Sequence, residues 1–203
     1  MNRFKTFTGG PFDTNCFYYR APGGGILFDA PQGSDSAFAG ERVDLLVLTH
    51  GHFDHIADGA AIIKRHECRT AMHRDTAPMV NDREFFRRWG FELEIDTFTA
   101  DILLEENPAA ILLDLPVGIY HVPGHCPGSI CFHIAKESAL VGGDVLFREG
   151  IGRWDLPGGD RDLLLEGIRQ KLLPLPDATI VLPGHGPSTT IGWEKQNNPF
   201  LAD

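Results

Sequence analysis

The chain has 203 residues, 42% of them apolar and 23% charged, the mixture expected of one globular domain over residues 1–203. Twenty-eight acidic residues against 18 Lys and Arg leave a formal charge of −10, which argues against nucleic acid or an anionic membrane as partner. No segment approaches the roughly 20 apolar residues that span a bilayer, and the N-terminus carries no apolar signal-peptide stretch. Cys16, Cys68, Cys126 and Cys131 form no C-x-x-C pair, so buried, reduced thiols in a cytoplasmic protein are expected.

In chain order, Phe17–Tyr19 and Ile26–Phe28 read as strands around the turn Ala21-Pro22-Gly23-Gly24-Gly25. Val43–Leu48 is a nearly continuous apolar run, the mark of a strand covered on both faces. A loop from Thr49 follows, and then Ile56, Ala57, Ala60, Ala61 and Ile63 recur at helical spacing. Arg69–Met72 reads as a strand. Residues 73–118 carry weaker patterns; Asn81–Trp89, with Phe85, Phe86 and Trp89, reads as a helix or a lid, and 81–98 as a pocket-shaping stretch. Strands are expected at Ile119–Val122, Ile130–Ile134, Ala139–Val141 and Thr179–Leu182. A helix is expected over Asp160–Leu172, with Leu163, Leu164, Ile168 and Leu172 as its stripe and Pro174 as its stop. Thr190–Asn198 reads as a terminal helix, and the whole as an α/β protein with sheet at its centre.

The chemistry concentrates at Thr49-His50-Gly51-His52-Phe53-Asp54-His55, where four potential metal ligands follow an apolar strand. His50 and His52, at i and i+2 in an extended loop, point the same way. Three more apolar runs end in a glycine-flanked His or Asp: His121-Val122-Pro123-Gly124-His125, Leu140-Val141-Gly142-Gly143-Asp144 and Val181-Leu182-Pro183-Gly184-His185-Gly186. One His after Pro-Gly is an ordinary turn residue; three such elements beside a four-ligand loop are a metal centre. His50, His52, Asp54, His55, His125, Asp144 and His185 are too many for one tetrahedral ion and enough for two sharing a bridge. Asp144, with two oxygens, is the natural bridge.

The H-x-H-x-D-H motif and the order of the later His, Asp and His resemble the metallo-β-lactamase fold hydrolases. That resemblance implies a four-layer αβ/βα sandwich, two central mixed sheets flanked by helices. It also implies that His50, His52 and His125 hold one metal, Asp54, His55 and His185 a second, and that Asp144 joins them. The stretches Gly143–Phe147, Ile151–Asp160 and Pro183–Gly192, with the closing Glu194…Asn198-Pro199-Phe200, are similar to the short glyoxalase II-like (hydroxyacylglutathione hydrolase-like) enzymes. The helical C-terminal domain that helps the full-length enzymes hold glutathione is not expected here.

The resemblance implies hydrolysis of a small-molecule thioester by a hydroxide shared between two divalent cations, zinc first, with iron or manganese as alternatives. Asp54 and Asp144 are the expected catalytic carboxylates. The alternatives are a persulfide dioxygenase using one iron on His50, His125 and Asp144, and a lactonase or other metallohydrolase of the same fold. Cys126 stands where relatives carry Thr and is expected to be an isosteric replacement. Arg153 is expected to pair with Asp155, Asp160 or another acid. Phe147 and Trp154 are expected in the core or pocket wall, and His66, His73, His121 and His133 at the surface or satisfied in the core.

Overall fold

The structure, a computed structural model, describes residues 3–90 and 95–202. One six-stranded sheet runs in sequence order: β1 (Phe4–Gly9), β2 (Thr14–Ala21), β3 (Gly24–Phe28), β4 (Leu45–Val47), β5 (Arg69–His73) and β6 (Ile102–Leu104). β1, β2 and β3 pair antiparallel; β3 through β6 pair parallel. The parallel pairs need crossovers, which α1 (Ser34–Ala37), α2 (Phe53–Ile56) and α3 (Gly59–His66) occupy before β5, and α4 (Ala77–Val80) after it.

The second half builds β7 (Asn107–Leu112), β8 (Leu115–His121), β9 (Ile130–Ile134), β10 (Ala139–Gly143), a β11–β12 hairpin (Leu146–Phe147 and Gly150–Ile151), α5 (Arg161–Gly167), β13 (Ile180–Pro183), β14 (Thr189–Thr190) and α6 (Ile191–Asn197). Its six-stranded sheet has the order β14-β13-β10-β9-β8-β7, with β10 and β13 parallel and its other pairs antiparallel.

Period-two patterning then assigns every face. Phe17, Tyr19 and Ala21 of β2, Ile26 and Phe28 of β3, and Leu45 and Val47 of β4 meet Val117, Ile119, Ile130, Phe132 and Val141 of the other sheet in one central core. The alternate residues Cys16, Tyr18, Leu27 and Leu46 pack outward on Ile56, Ile62, Met79 and Val80. Cys131, Leu140 and Val181 pack outward on Leu164, Leu165, Ile168, Leu172 and Ile191. The result is the four-layer order helices, sheet, sheet, helices.

Most expected strands lie where the apolar runs put them. The turn is tighter than expected: Ala21 pairs with Gly24, which leaves Pro22-Gly23 as the two-residue loop. Asp160 caps α5 by accepting from Leu163 N at 3.0 Å, and the helix widens into a π turn over Ile168–Leu172. Its buried stripe uses Leu165 rather than Leu163, which is 43% exposed. Between 73 and 114 the structure has α4, one 3₁₀ turn at Arg87–Trp89 within the stretch expected as a helix or a lid, and the edge strands β6 and β7; residues 91–94 of the expected pocket-shaping stretch fall outside the described residues.

Phe28 and Phe132 meet across the two sheets with ring centroids 5.2 Å apart, both wholly buried. Phe132→Ala is expected to lower the unfolding free energy by about 3–5 kcal/mol, while Leu163→Ala stays within about 0.5 kcal/mol; urea titration of the two variants checks the contrast.

Candidate metal centre

All seven expected residues come together. β4 ends just before His50; His52 stands at the start of α2, which carries Asp54 and His55. His125, Asp144 and His185 follow β8, β10 and β13, three strands whose carboxyl ends share one edge of the second sheet. Backbone bonds clamp the two sheets here: Ile130 N donates to Thr49 O at 2.9 Å, and Asn15 N to Gly184 O at 2.7 Å. Close packing requires glycine at 184, where any Cβ would strike Asp144 Oδ1.

Two triads of ligating atoms, His50–His52–His125 and Asp54–His55–His185, each fall within 4.8 Å, and so does His50–His55–Asp144 between them. His125 Nε2 lies 3.3 Å from His50 Nε2. Asp144 Oδ2 lies 3.6 Å from His125 Nε2 and 3.3 Å from His185 Nε2, and Oδ1 lies 3.3 Å from His55 Nε2. Asp54 Oδ2 lies 3.2 Å from His185 Nε2 and accepts from Thr14 Oγ1 at 2.7 Å.

The hydrogen bonds behind the rings fix their tautomers. His55 Nδ1–H donates to Asp29 Oδ2 at 2.8 Å. Thr49 Oγ1 donates to the same Asp29 oxygen at 2.8 Å, so it can only accept from His50 Nδ1–H, 3.0 Å away. His125 Nδ1–H donates to Arg153 O at 2.8 Å, and His185 Nδ1–H to Phe12 O at 2.9 Å. All four rings therefore turn Nε2 inward, as outward-anchored ligand histidines do. His55 Nε2 and Asp144 Oδ1 are buried and face each other without a hydrogen-bond partner among the described residues. A divalent cation fits this donor set: neutral imidazoles and carboxylates converge on it, and it separates lone pairs that otherwise repel.

Electrostatics agree. Burial, together with the neighbouring histidines, pushes His50 well down, and burial beside His125 takes His52 to about 3. Burial opposes the charge on Asp54, yet His55 and the hydrogen bonds from His185 and Thr14 hold it at about 2. Burial likewise opposes the proton on His55 and His185, but Asp144 raises both, with Asp29 also acting on His55 and Asp54 on His185; His185 reaches about 10. Without a cation, those protons are the cluster's positive charge.

The open side is a pocket of ≈ 170 Å³ lined by Phe12, His52, Phe53, Asp54, Phe86, His125, Asp144, Arg153, Leu156 and His185. Phe86 is the contribution of the 81–98 stretch. Arg153 makes the expected pair, a fork onto Asp155 at 2.8 and 2.9 Å. Cys126 is buried with Sγ 3.5 Å from Met79 Sδ, and burial raises its thiol. Phe147 stands 6.2 Å from the His185 ring, and Trp154 packs on Phe200.

Asp29 stands outside the seven expected residues, although Ile26-Leu27-Phe28-Asp29 repeats the pattern of an apolar run ending in a chemical residue. It is buried at φ +63°, a left-handed conformation that Asp tolerates, and it braces both His55 and Thr49. Asp29→Ala is expected to weaken divalent-metal affinity by about 10–100-fold, measured by competition with a chromogenic chelator; unchanged affinity in the folded variant contradicts this bracing role.

Residues 9–185 match the Metallo-beta-lactamase superfamily. The chain is 42% identical over 170 residues to hydroxyacylglutathione hydrolase GloC of Haemophilus influenzae, covering 79% of each. It is similar to the crystal structure of BLEG-1 B3 metallo-beta-lactamase, with TM-score 0.92, 35% identity and coverage of 98% of this chain and 100% of that one. It is also similar to the protein TTHA1623 crystallised in a di-iron-bound form, with TM-score 0.86, 32% identity and coverage of 97% and 100%. With two mixed sheets between helix layers and a histidine–aspartate cluster at their common edge, the chain belongs to the metallo-β-lactamase superfamily, as a metal-dependent hydrolase.

Proposed function

We propose that the chain hydrolyses a thioester of the hydroxyacylglutathione kind with two divalent cations. His50, His52 and His125 would hold one cation, and Asp54, His55 and His185 the other, with Asp144 shared. The observation that carries this reading is the place of Asp144, whose Oδ2 lies within 3.6 Å of His125 in one triad and 3.3 Å of His185 in the other. When bound, divalent cations supply Lewis acidity that lowers the pKa of water toward neutrality and polarises a carbonyl. The donors suit zinc, iron or manganese, and the similarity to a di-iron-bound structure supports iron as a real alternative to zinc.

The protein's own groups do the rest. Asp54 lines the pocket with Oδ2 held by Thr14, and its other oxygen can take the proton of an attacking water. Phe12, Phe53, Phe86 and Leu156 give the pocket an apolar wall that excludes bulk water and strengthens the charges at its floor. A pocket of ≈ 170 Å³ holds a short acyl group and leaves a larger thiol carrier outside its mouth. Arg153 is engaged by Asp155 through Nε and Nη2, so an uncharged acyl group suits the site without breaking that fork.

The similarity to GloC supports the thioester. The similarity to BLEG-1 favours a second reading, hydrolysis of a β-lactam amide at the same site. A panel of glutathione thioesters and a chromogenic β-lactam, offered to metal-loaded protein, separates them. The expected result is thioester turnover far above β-lactam turnover, lost by several orders of magnitude in Asp144→Asn and His125→Ala with circular dichroism intact. Faster β-lactam hydrolysis, near-native turnover in either variant, or oxygen uptake with a persulfide in place of hydrolysis would overturn the proposal.

A further inference from the structure

Beside the pocket over the metal centre lies a second cavity of ≈ 280 Å³. Phe12, Phe53 and Asp54 line both, so the two spaces share a wall. Phe12 and Phe53 meet edge to face in that wall, with ring centroids 5.3 Å apart. Phe53 meets the buried Phe86 in the same way at 5.8 Å. Three rings thus stand in a row that starts in the outer core and ends at Phe12, which is 54% exposed in the β1–β2 turn.

Backbone bonds fix the exposed end of the row. Asp13 N donates to Gly10 O at 3.3 Å across the turn, with Gly10 at φ +71° and Asp13 at φ +51°. The Phe12 carbonyl accepts from His185 Nδ1–H at 2.9 Å, and Asn15 N donates to Gly184 O at 2.7 Å. The turn is therefore tied to the loop that carries His185, and the Phe12 ring leans on Phe53 from a held backbone.

The second cavity suits an uncharged, apolar chain. Pro11, Ala57 and Ile95 line it. Asp54 turns Oδ2 to Thr14 and His185, and Asp58 accepts Gly33 N and Asp35 N on its Oδ2 at 2.8 and 3.0 Å. Among the described residues no Lys or Arg lines the space, so an anionic chain would meet two carboxylates and no cation.

We propose that the Phe12–Phe53 pair is a partition that limits acyl length at this site, closing off a cavity that takes a longer straight chain once the partition is opened. Phe12 is the specificity-determining side chain. Alanine there keeps the carbonyl that holds His185 and joins the ≈ 170 Å³ pocket to the ≈ 280 Å³ cavity. The inference rests on the thioester reading for the identity of the acyl substrate; the partition itself follows from the two cavities and their common wall.

The test is calorimetric binding of straight-chain carboxylates, from acetate to decanoate, to zinc-loaded protein, each carboxylate being the product of the matching acyl thioester. Affinity for the wild type is expected to level off after the short members. Phe12→Ala is expected to go on gaining about fourfold per added methylene. Ala57 lines the second cavity and not the first, so Ala57→Leu added to Phe12→Ala is expected to bring the plateau back. The same length dependence in wild type and Phe12→Ala, none included, overturns the proposal. So does a gain that Ala57→Leu leaves intact. Acyl-glutathione turnover is measured alongside: its absence, with the shift in binding retained, counts against the thioester reading and leaves the partition standing.

Discussion

Five imidazoles and two carboxylates crowd one small, mostly buried volume, and their mutual desolvation is the constraint on which the rest depends. His50, His55 and His125 are buried, and Asp144 is nearly so. Charges removed from water to this degree are costly unless each meets an opposite charge at close range. Nε2 lone pairs facing each other at 3.3 Å, as in His50 and His125, repel unless a proton or cation stands between them. Divalent cations resolve the conflict at every atom at once, which is why metal binding and the stability of this edge are linked.

The fold has to hold those donors in place against their repulsion, and it does so from the backbone outward. Strands of both sheets deliver the ligating residues at their carboxyl ends, and the bonds Ile130 N to Thr49 O and Asn15 N to Gly184 O keep the two ends from parting. Behind the rings, Asp29, Thr49, Arg153 O and Phe12 O hold four Nδ1 atoms outward. A further clamp lies on the far side. Glu194, wholly buried, accepts from Glu149 N, Thr189 Oγ1 and Asn198 Nδ2, and Asn198 also donates to Gly150 O. These bonds fix the β11–β12 turn, from which the chain runs to Gly152, packed on Asp144 O, and Arg153, whose carbonyl holds His125. The closing Glu194…Asn198 stretch thus reaches the centre through backbone.

The seven donors were readable because each combines an apolar run with an abrupt chemical residue, and glycines mark where the backbone must approach closely. Buried strands were readable for the same reason: Leu45, Leu46 and Val47 are apolar on both faces because both faces are covered. The edge strands were not. β6 has three residues with Leu103 58% exposed, and β7 leaves Ile111 68% exposed, so neither shows the alternation that burial on one face imposes. β1 buries Phe4 alone among six residues. The His73–His121 stack was unreadable for a different reason, since 48 positions of chain separate two histidines that only the facing of the sheets brings together. Leu165 displaced Leu163 from the stripe of α5 because the helix sets its face by Leu164, Ile168 and Leu172 and then widens into a π turn.

The central claim is that two cations share Asp144. Elemental analysis of protein purified without chelator and dialysed exhaustively, for wild type and Asp54→Ala side by side, tests it most directly. The account predicts close to two equivalents of zinc, iron or manganese per wild-type chain, falling to about one when Asp54 is removed from its triad. One equivalent in both proteins would contradict it, and would leave His50, His125 and Asp144 as a single-metal site.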